Sequence, residues 1–159
     1  MPDSIHTITA EGAGHTLRLV RRFPASRERV WRAFTERDEV AAWFGPEGFT
    51  CEIHHWDARP GGRWAATMIA PDGKRYPVSA SVRDVQPPER LVYTWVWGAQ
   101  HGDEVIEERE TLVTVELRSV GDMTELTLLH SNLRSADSAA SHAGGWGSSM
   151  NKLAALVAA

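Results

Sequence analysis

Two histidines in the C-terminal part of the chain are the side chains best suited to acid–base chemistry. His130 follows Leu126 and Leu128 on one face of a predicted strand, and His142 lies one helical turn before Trp146. An imidazole titrates near neutral pH and can serve as a general acid or base. If both imidazoles point into one cavity, they can act as a general acid and a general base. If His142 bonds to backbone near a helix start and His130 lies at a rim, both are structural.

Other patterns give no support for a metal or a cofactor. His54 and His55 are neighbours in a predicted strand and point to opposite faces, so they cannot hold one ion together. His55 and Asp57 share a face if the strand stays regular, but two ligands are too few for zinc. The sequence has neither a G-x-S-x-G elbow nor a G-x-x-x-x-G-K-[ST] phosphate loop. We therefore expect no metal and no cofactor.

Arg109 is the candidate for contact with an anionic ligand. It belongs to the charged run 107–110 and has the strand parity of Val113 and Val115, so it can reach the mouth of a pocket beside them. The alternative is a solvated strand end.

A second charged group surrounds a Pro-Gly-Gly turn. It consists of Asp57, Arg59 and Arg63, and we interpret it as a structural salt bridge at a corner of the fold.

Seven tryptophans are the unusual feature of the composition. An indole is large and carries one N–H group that needs an acceptor when it is buried. The rings can fill a solid core, or several can line a cavity, because ligand pockets are mostly apolar and aromatic. The seven are Trp31, Trp43, Trp56, Trp64, Trp95, Trp97 and Trp146.

The hydrophobic pattern predicts the elements that must position these side chains. Ser26 is a suitable N-cap for a short helix over 27–35, and a second short helix follows over 37–44. Strands joined by short turns must form an antiparallel meander, whose apolar face needs the last helix as a cover. The predicted strands span about residues 17–23, 49–56, 63–70, 76–82, 91–97, 107–118 and 126–130.

The predicted terminal helix carries Trp146 and Met150 at helical spacing, but three glycines interrupt it at 144, 145 and 147. Each costs a helix interior roughly 1 kcal/mol relative to alanine. They can mark a soft first turn that admits a ligand, a loop before a helix that begins at Ser148, or a close approach of helix to sheet. Residues 1–14 are polar and without period, so we expect a flexible N-terminus followed by one domain over 15–159.

Four motifs in order resemble a known family. They are WFGP at 43–46, DARPGGRW at 57–64, PERLVYTW at 88–95 and HAGGW at 142–146. Together they are similar to the Aha-type branch of the START-like (SRPBCC) superfamily, which is named for the activator of the heat-shock chaperone ATPase. The resemblance covers about residues 17–157. It implies an α+β helix-grip fold like that of the birch-pollen allergen, with a cavity between the sheet and the terminal helix.

The resemblance leaves several functions open, because members include carriers, cyclases, hydrolases and chaperone co-activators. Our first hypothesis is a pocket of at least about 300 Å³ that binds a small hydrophobic, aromatic or polycyclic molecule. The alternatives are an enzyme that uses His130 and His142, and a chaperone co-regulator or stress-response partner with a broad exposed apolar patch. The residues expected at the pocket are Trp64, Met68, Tyr93, Trp95, Trp97, Arg109, Val113, Val115, His130, His142, Trp146 and Met150.

The bulk composition is that of a globular protein. The 159 residues are 42% hydrophobic and 24% charged, with a net charge of −4 and one cysteine. We find no signal-peptide pattern, no apolar stretch near the roughly 20 residues of a membrane span and no basic stripe for nucleic acid. We therefore expect a cytoplasmic protein with no membrane or nucleic-acid partner, and leave a homodimer open.

Overall fold

The computed structural model describes residues 4–12 and 14–158. They form an α+β fold with three helices, α1 (Arg27–Thr35), α2 (Arg37–Trp43) and α3 (Ala136–Ala158). None of these helices has the length and hydropathy needed to cross a lipid bilayer. The strands are β1 (Ile5–Glu11), β2 (Gly14–Phe23), β3 (Thr50–Trp56), β4 (Arg63–Ile69), β5 (Arg75–Gln86), β6 (Arg90–Trp97), β7 (Gln100–His101), β8 (Glu104–Val105), β9 (Thr111–Val120) and β10 (Met123–Leu133).

Eight strands form one antiparallel sheet in the order β1-β2-β10-β9-β6-β5-β4-β3. The strands from β3 to β10 lie in chain order apart from the small β7–β8 hairpin, so the predicted meander is confirmed. The first long strand, β2, pairs with the last strand, β10, and Leu19 lies opposite Leu128 in this pair. The inner face carries the buried side chains, and α3 covers it. This is the helix-grip architecture that the sequence predicted.

The two short helices begin and end as local chemistry dictates. The Ser26 hydroxyl accepts a hydrogen bond from the Arg29 backbone N–H at 3.1 Å, so the predicted N-cap and the bounds of α1 are confirmed. Trp43, at the end of α2, is fully buried and donates its indole N–H to the carbonyl of Ala33 at 2.8 Å. This bond ties α2 to α1 and directs the following chain, from Phe44 onward, toward the inner face of the sheet.

Three parts of the chain differ from the prediction. Residues 5–11 form β1, an edge strand paired with β2, where we predicted a flexible segment. The strand β9 begins at Thr111 and not at residue 107, so Arg109 does not belong to it. The segment between the predicted strands 91–97 and 107–118 contains the β7–β8 hairpin. The two missed pairings depend on main-chain bonds and not on an apolar period, whereas the start of β9 was placed too early because the alternation was extended into the charged run.

The terminal helix runs without a break through its three glycines. A loop up to Ser148 is therefore excluded. Close packing does not explain the glycines either, because a Cβ built at Gly144 or Gly147 meets no atom of the described residues within 4 Å. At Gly145 the nearest atom is the Cγ of Pro46 at 3.9 Å, an ordinary contact. Low local helix propensity therefore stays a prediction, but it lies inside α3 and not in its first turn, because the helix begins at Ala136.

A lysine on α3 fixes the segment 45–49 against the helix. The Lys152 ammonium donates to the carbonyls of Gly45, Pro46 and Phe49 at 3.3, 3.5 and 3.0 Å. The Ser148 hydroxyl accepts from the Glu47 backbone N–H at 2.7 Å. Burial lowers the pKa of Lys152 from its ordinary value. The segment after α2 is thus held over the middle of α3, where it forms one wall of the pocket described below.

Alanine at Gly144 or Gly147 should stabilise the protein. Each substitution removes a helix penalty of about 1 kcal/mol without creating a clash, so urea unfolding should show an increase of about that size. The amides of residues 140–147 should also exchange more slowly with deuterium.

Gly62→Ala is the contrasting variant. Its Cβ would meet the Asp57 carbonyl oxygen and lie 2.7 Å from the Asp57 Cγ, so it should destabilise the protein. A loss of stability in Gly144→Ala and Gly147→Ala would show that these glycines serve packing.

Candidate ligand pocket

A half-open pocket of about 230 Å³ lies between α3, the segment 44–49 and the inner face of the sheet. It is smaller than the roughly 300 Å³ that the sequence led us to expect. We call this space the ligand pocket. Most of its wall is aromatic or aliphatic. The residues that line it are Phe44, Gly45, Pro46, Phe49, Met68, Tyr76, Trp95, Trp97, His101, Ser141, His142, Gly145, Trp146 and Ser149.

The pocket is small because its aromatic rings also pack against one another. The Trp95 ring centroid lies 5.5 Å from that of Phe44, 5.3 Å from that of Trp97 and 5.2 Å from that of Trp146. Such edge-on and tilted contacts are the arrangements that aromatic pairs prefer. The tryptophans therefore do both things that the sequence left open, since they fill the core and line what remains of the cavity.

The structure brings together five of the twelve residues predicted at the pocket: Met68, Trp95, Trp97, His142 and Trp146. Whether they bind a ligand stays a prediction. Two of the others lie deeper, since Trp64 and Tyr93 border a separate void of about 10 Å³.

The remaining five predicted residues also lie outside the pocket wall. Val113, Val115 and Met150 are buried in the core. His130 is fully buried, and its ring contacts those of Trp95, His142 and Trp146. The Arg109 guanidinium bonds to the carbonyl and side-chain oxygens of Asn132, at 2.6 and 3.0 Å, and does not reach the pocket.

Several lining residues were missed by the prediction although the sequence carried a signal for some of them. Phe44, Gly45 and Pro46 belong to the WFGP motif, which we treated as the end of a helix. Tyr76 shares the parity of the buried Val78 on β5. His101 had no signal, because the turn that holds it packs against β5 only in the folded chain, with its ring edge-on to those of Tyr76 and Trp97.

Two indole–imidazole hydrogen bonds join α3 to the sheet. The Trp97 indole N–H on β6 donates to Nε2 of His142 on α3 at 3.0 Å. The other nitrogen of His142, Nδ1, lies 2.8 Å from the Ser138 carbonyl oxygen. A carbonyl can only accept and an indole N–H can only donate, so His142 is neutral with its proton on Nδ1.

The second bond runs in the opposite direction. The Trp146 indole N–H on α3 donates to Nδ1 of His130 on β10 at 3.0 Å. His130 must then carry its proton on Nε2, which lies 2.8 Å from the Thr111 hydroxyl oxygen. That hydroxyl in turn donates to the Trp95 carbonyl at 2.7 Å. All four imidazole nitrogens thus have protein partners.

Burial keeps both imidazoles uncharged. It lowers the pKa of His130 well below the ordinary value, and the neighbouring His142 adds to that effect. Burial also lowers the pKa of His142, although the bond to the Ser138 carbonyl opposes it. The ring centroids are 4.8 Å apart, so protonation of one ring would disfavour protonation of the other.

The remaining candidates of the sequence are structural in this arrangement. Asp57 forms an ion pair with Arg59 at 2.8 Å beside the Pro-Gly-Gly turn, as expected for a corner salt bridge. His54 bonds to the Thr67 hydroxyl at 2.8 Å. A bulge between Ile53 and His55 breaks the regular alternation of β3. Within residues 4–12 and 14–158, no three His, Cys, Asp or Glu side chains form a group that could hold a metal ion.

Comparison with protein-family models shows to which family the chain belongs. Residues 24–158 match the model of the activator of Hsp90 ATPase homolog 1-like proteins, AHSA1. The chain belongs to the AHSA1 family. The resemblance inferred from the four motifs is thereby confirmed. No curated protein matches the chain in sequence.

Solved structures of similar proteins agree with this membership. The AHSA1 protein of Silicibacter pomeroyi is 31% identical, with a TM-score of 0.79 over 90% of this chain and 97% of its own. A protein from Chromobacterium violaceum is 29% identical, also with a TM-score of 0.79, over 89% and 96% of the two chains. A protein from Arthrobacter aurescens shares the fold at 20% identity, with a TM-score of 0.81 over 96% and 91%. AHSA1 and SRPBCC proteins are known for binding hydrophobic ligands.

The buried imidazoles should make stability depend on pH. Their lowered pKa values mean that the folded protein takes up fewer protons than the unfolded chain below about pH 6.5. Above that pH, the contribution of the two imidazoles to the free energy of unfolding should be constant. Below it, the free energy should fall by about 1.4 kcal/mol per pH unit for each imidazole that stays neutral. Urea unfolding between pH 7.5 and 5 measures this slope.

His130→Gln isolates one imidazole, because a glutamine can accept from Trp146 and donate to Thr111. In this variant the free energy of unfolding should fall less steeply below about pH 6.5, by about 1.4 kcal/mol per pH unit, which corresponds to one proton. The unmodified protein, unfolded in the same buffers, is the reference for this comparison. Equal slopes in His130→Gln and the unmodified protein would contradict the neutral assignment of His130.

Proposed function

We propose that this AHSA1 protein binds a small hydrophobic, aromatic or polycyclic molecule in the ligand pocket. The observation that carries the proposal is a half-open pocket whose wall is mostly aromatic and aliphatic, at the junction of sheet and α3. Pockets of this composition suit apolar ligands with few polar groups. Hydrophobic-ligand binding in the family supports the same conclusion.

The volume limits the size of the ligand. An engineered apolar cavity of about 150 Å³ binds benzene. The ligand pocket, at about 230 Å³, suits a molecule of about one or two rings without rearrangement. A larger polycyclic molecule would need the N-terminal half of α3 to move. The glycines at 144, 145 and 147 supply the low helix propensity for that movement.

An enzyme that uses His130 and His142 is less well supported. A general base needs a free lone pair within hydrogen-bond reach of the proton that it removes. The lone pairs of both imidazoles are occupied by indole N–H groups, and His130 is fully buried. Catalysis would require both indoles to leave. We therefore assign the histidines a structural role at the pocket.

The family name supports a chaperone partner, but the protein exposes little apolar surface on which a partner could dock. Among the described residues, the exposed large hydrophobic side chains are Ile5 and Val105. They lie in different sheets, β1 and the β7–β8 hairpin, and do not form the broad apolar patch expected of a protein-docking face. The proposed function therefore remains the binding of a small molecule. The proposed location is the cytoplasm.

A bulky side chain at Gly145 tests the location of the site. Gly145 lines the ligand pocket, so Gly145→Phe should fill part of it and weaken the binding of naphthalene by about tenfold. The indole N–H signals of Trp97 and Trp146 report binding in a ¹H–¹⁵N NMR titration. Gly144→Phe is the matched control, because Gly144 lies on the same helix turn but does not line the pocket and is exposed.

Equal affinities in the two variants would place the site elsewhere. Native mass spectrometry of freshly purified protein complements the titration, since a co-purified small molecule should be present in the unmodified protein and depleted in Gly145→Phe.

A further inference from the structure

We propose that the ligand carries a neutral hydrogen-bond acceptor, which the indole N–H of Trp95 binds. The inference deepens the proposed function and rests on it. It concerns the polar part of a ligand whose remaining surface is apolar, and so narrows the ligand class. A ring nitrogen, a carbonyl or an ether oxygen attached to one or two rings has the required chemistry.

The indole N–H of Trp95 is buried without an acceptor in the described part of the chain, in contrast to those of three other tryptophans in this part of the molecule. Trp43 donates to the Ala33 carbonyl, Trp97 to His142 and Trp146 to His130. The Trp95 side chain is 3% exposed, and its Nε1 is buried without a hydrogen-bond partner among the described residues. A buried indole N–H usually finds an acceptor, and leaving one unpaired is unfavourable.

The surroundings of Trp95 explain why the protein does not supply this acceptor. Its neighbours are the rings of Phe44, Trp64, Trp97, His130 and Trp146. His130 is the one ring among them with a possible acceptor nitrogen, and that nitrogen already accepts from Trp146. Trp95 also borders the ligand pocket, so we infer that the acceptor belongs to a ligand bound there.

A second unpaired atom borders the same pocket. The Nδ1 of His101 is buried and has no partner among the described residues. The ring is held edge-on, with centroids 4.7 Å from Tyr76 and 4.8 Å from Trp97. Depending on its tautomer, Nδ1 can donate to or accept from a second polar atom of the ligand.

The charge of the lining favours a neutral acceptor over a carboxylate. Among the residues that the structure describes, neither a lysine nor an arginine lines the ligand pocket. Burial lowers the pKa of His101, so its ring does not supply a positive charge at neutral pH. An ionised carboxylate without a cationic partner would be costly to bury.

A matched pair of probes tests the inference. Naphthalene and quinoline have the same shape, but quinoline replaces one C–H by an acceptor nitrogen. Binding of each to the full chain is followed at pH 7.5 by ¹H–¹⁵N NMR of the indole groups, with the Trp95 signal assigned by its loss in Trp95→Phe. Quinoline should move the Trp95 N–H proton downfield, and naphthalene should not.

Affinities provide the second measurement. The ratio of quinoline to naphthalene affinity should fall about five- to tenfold in Trp95→Phe, the effect of one hydrogen bond. Trp56→Phe is the control, since the Trp56 indole donates to the Thr35 carbonyl and does not line the pocket. Its ratio should equal that of the unmodified protein. If Trp95→Phe does not fold, the Trp95 signal is assigned from its through-bond and through-space connectivities in the unmodified protein, and its downfield shift decides.

Two results would count against us in different ways. Shifts of the Trp97 and Trp146 signals by both probes, with no downfield Trp95 shift for quinoline and an unchanged affinity ratio, would overturn the inference and leave the proposed function standing. Failure of both probes to perturb any pocket indole would contradict the proposed function itself.

Discussion

The crossed pair of indole–imidazole hydrogen bonds is the interaction on which the rest of this structure depends. One tryptophan on the sheet donates to a histidine on α3, and one tryptophan on α3 donates to a histidine on the sheet. An isolated indole N–H or imidazole nitrogen in a core is unfavourable, whereas a fully paired network is not. The two bonds therefore fix how far α3 lies from the sheet and which of its faces turns inward.

That spacing determines the properties of the pocket. The helix is held close enough for Trp146 to contact Trp95 and Phe44, which reduces the cavity to about 230 Å³. The same bonds occupy the imidazole lone pairs and keep both rings neutral, so a site rich in histidine has little capacity for acid–base catalysis. What remains is an aromatic recess in which Trp95 and His101 have polar atoms without a partner among the described residues.

The sequence predicted best what local chemistry controls. The bounds of α1 follow from the Ser26 cap, and the meander follows from alternating strands and short turns. The edge strand β1 was missed because it is mostly exposed, and it carries no apolar period to reveal main-chain pairing with β2. Arg109 was misplaced because strand parity was extended two residues beyond the true start of β9.

The sequence predicted which strands border the pocket, but not which inner-face residues line it and which are buried in the core. Alternation correctly put Trp95 and Trp97 on strand β6, and Met68 on β4, at the pocket. It also put His130, Val113 and Val115 on the inner face, yet parity cannot tell a core position from a lining one. The contribution of His101 depends on how the β7–β8 hairpin packs against Tyr76, a tertiary contact that leaves no periodic signal.

The most direct test of the crossed pair is the tautomeric state of the two histidines. A long-range ¹H–¹⁵N correlation spectrum at pH 7.5 distinguishes a ring nitrogen that carries a proton from one that does not. The structure requires opposite tautomers, with the proton on Nε2 in His130 and on Nδ1 in His142. The same tautomer in both rings, or an imidazolium at either position, would contradict the account.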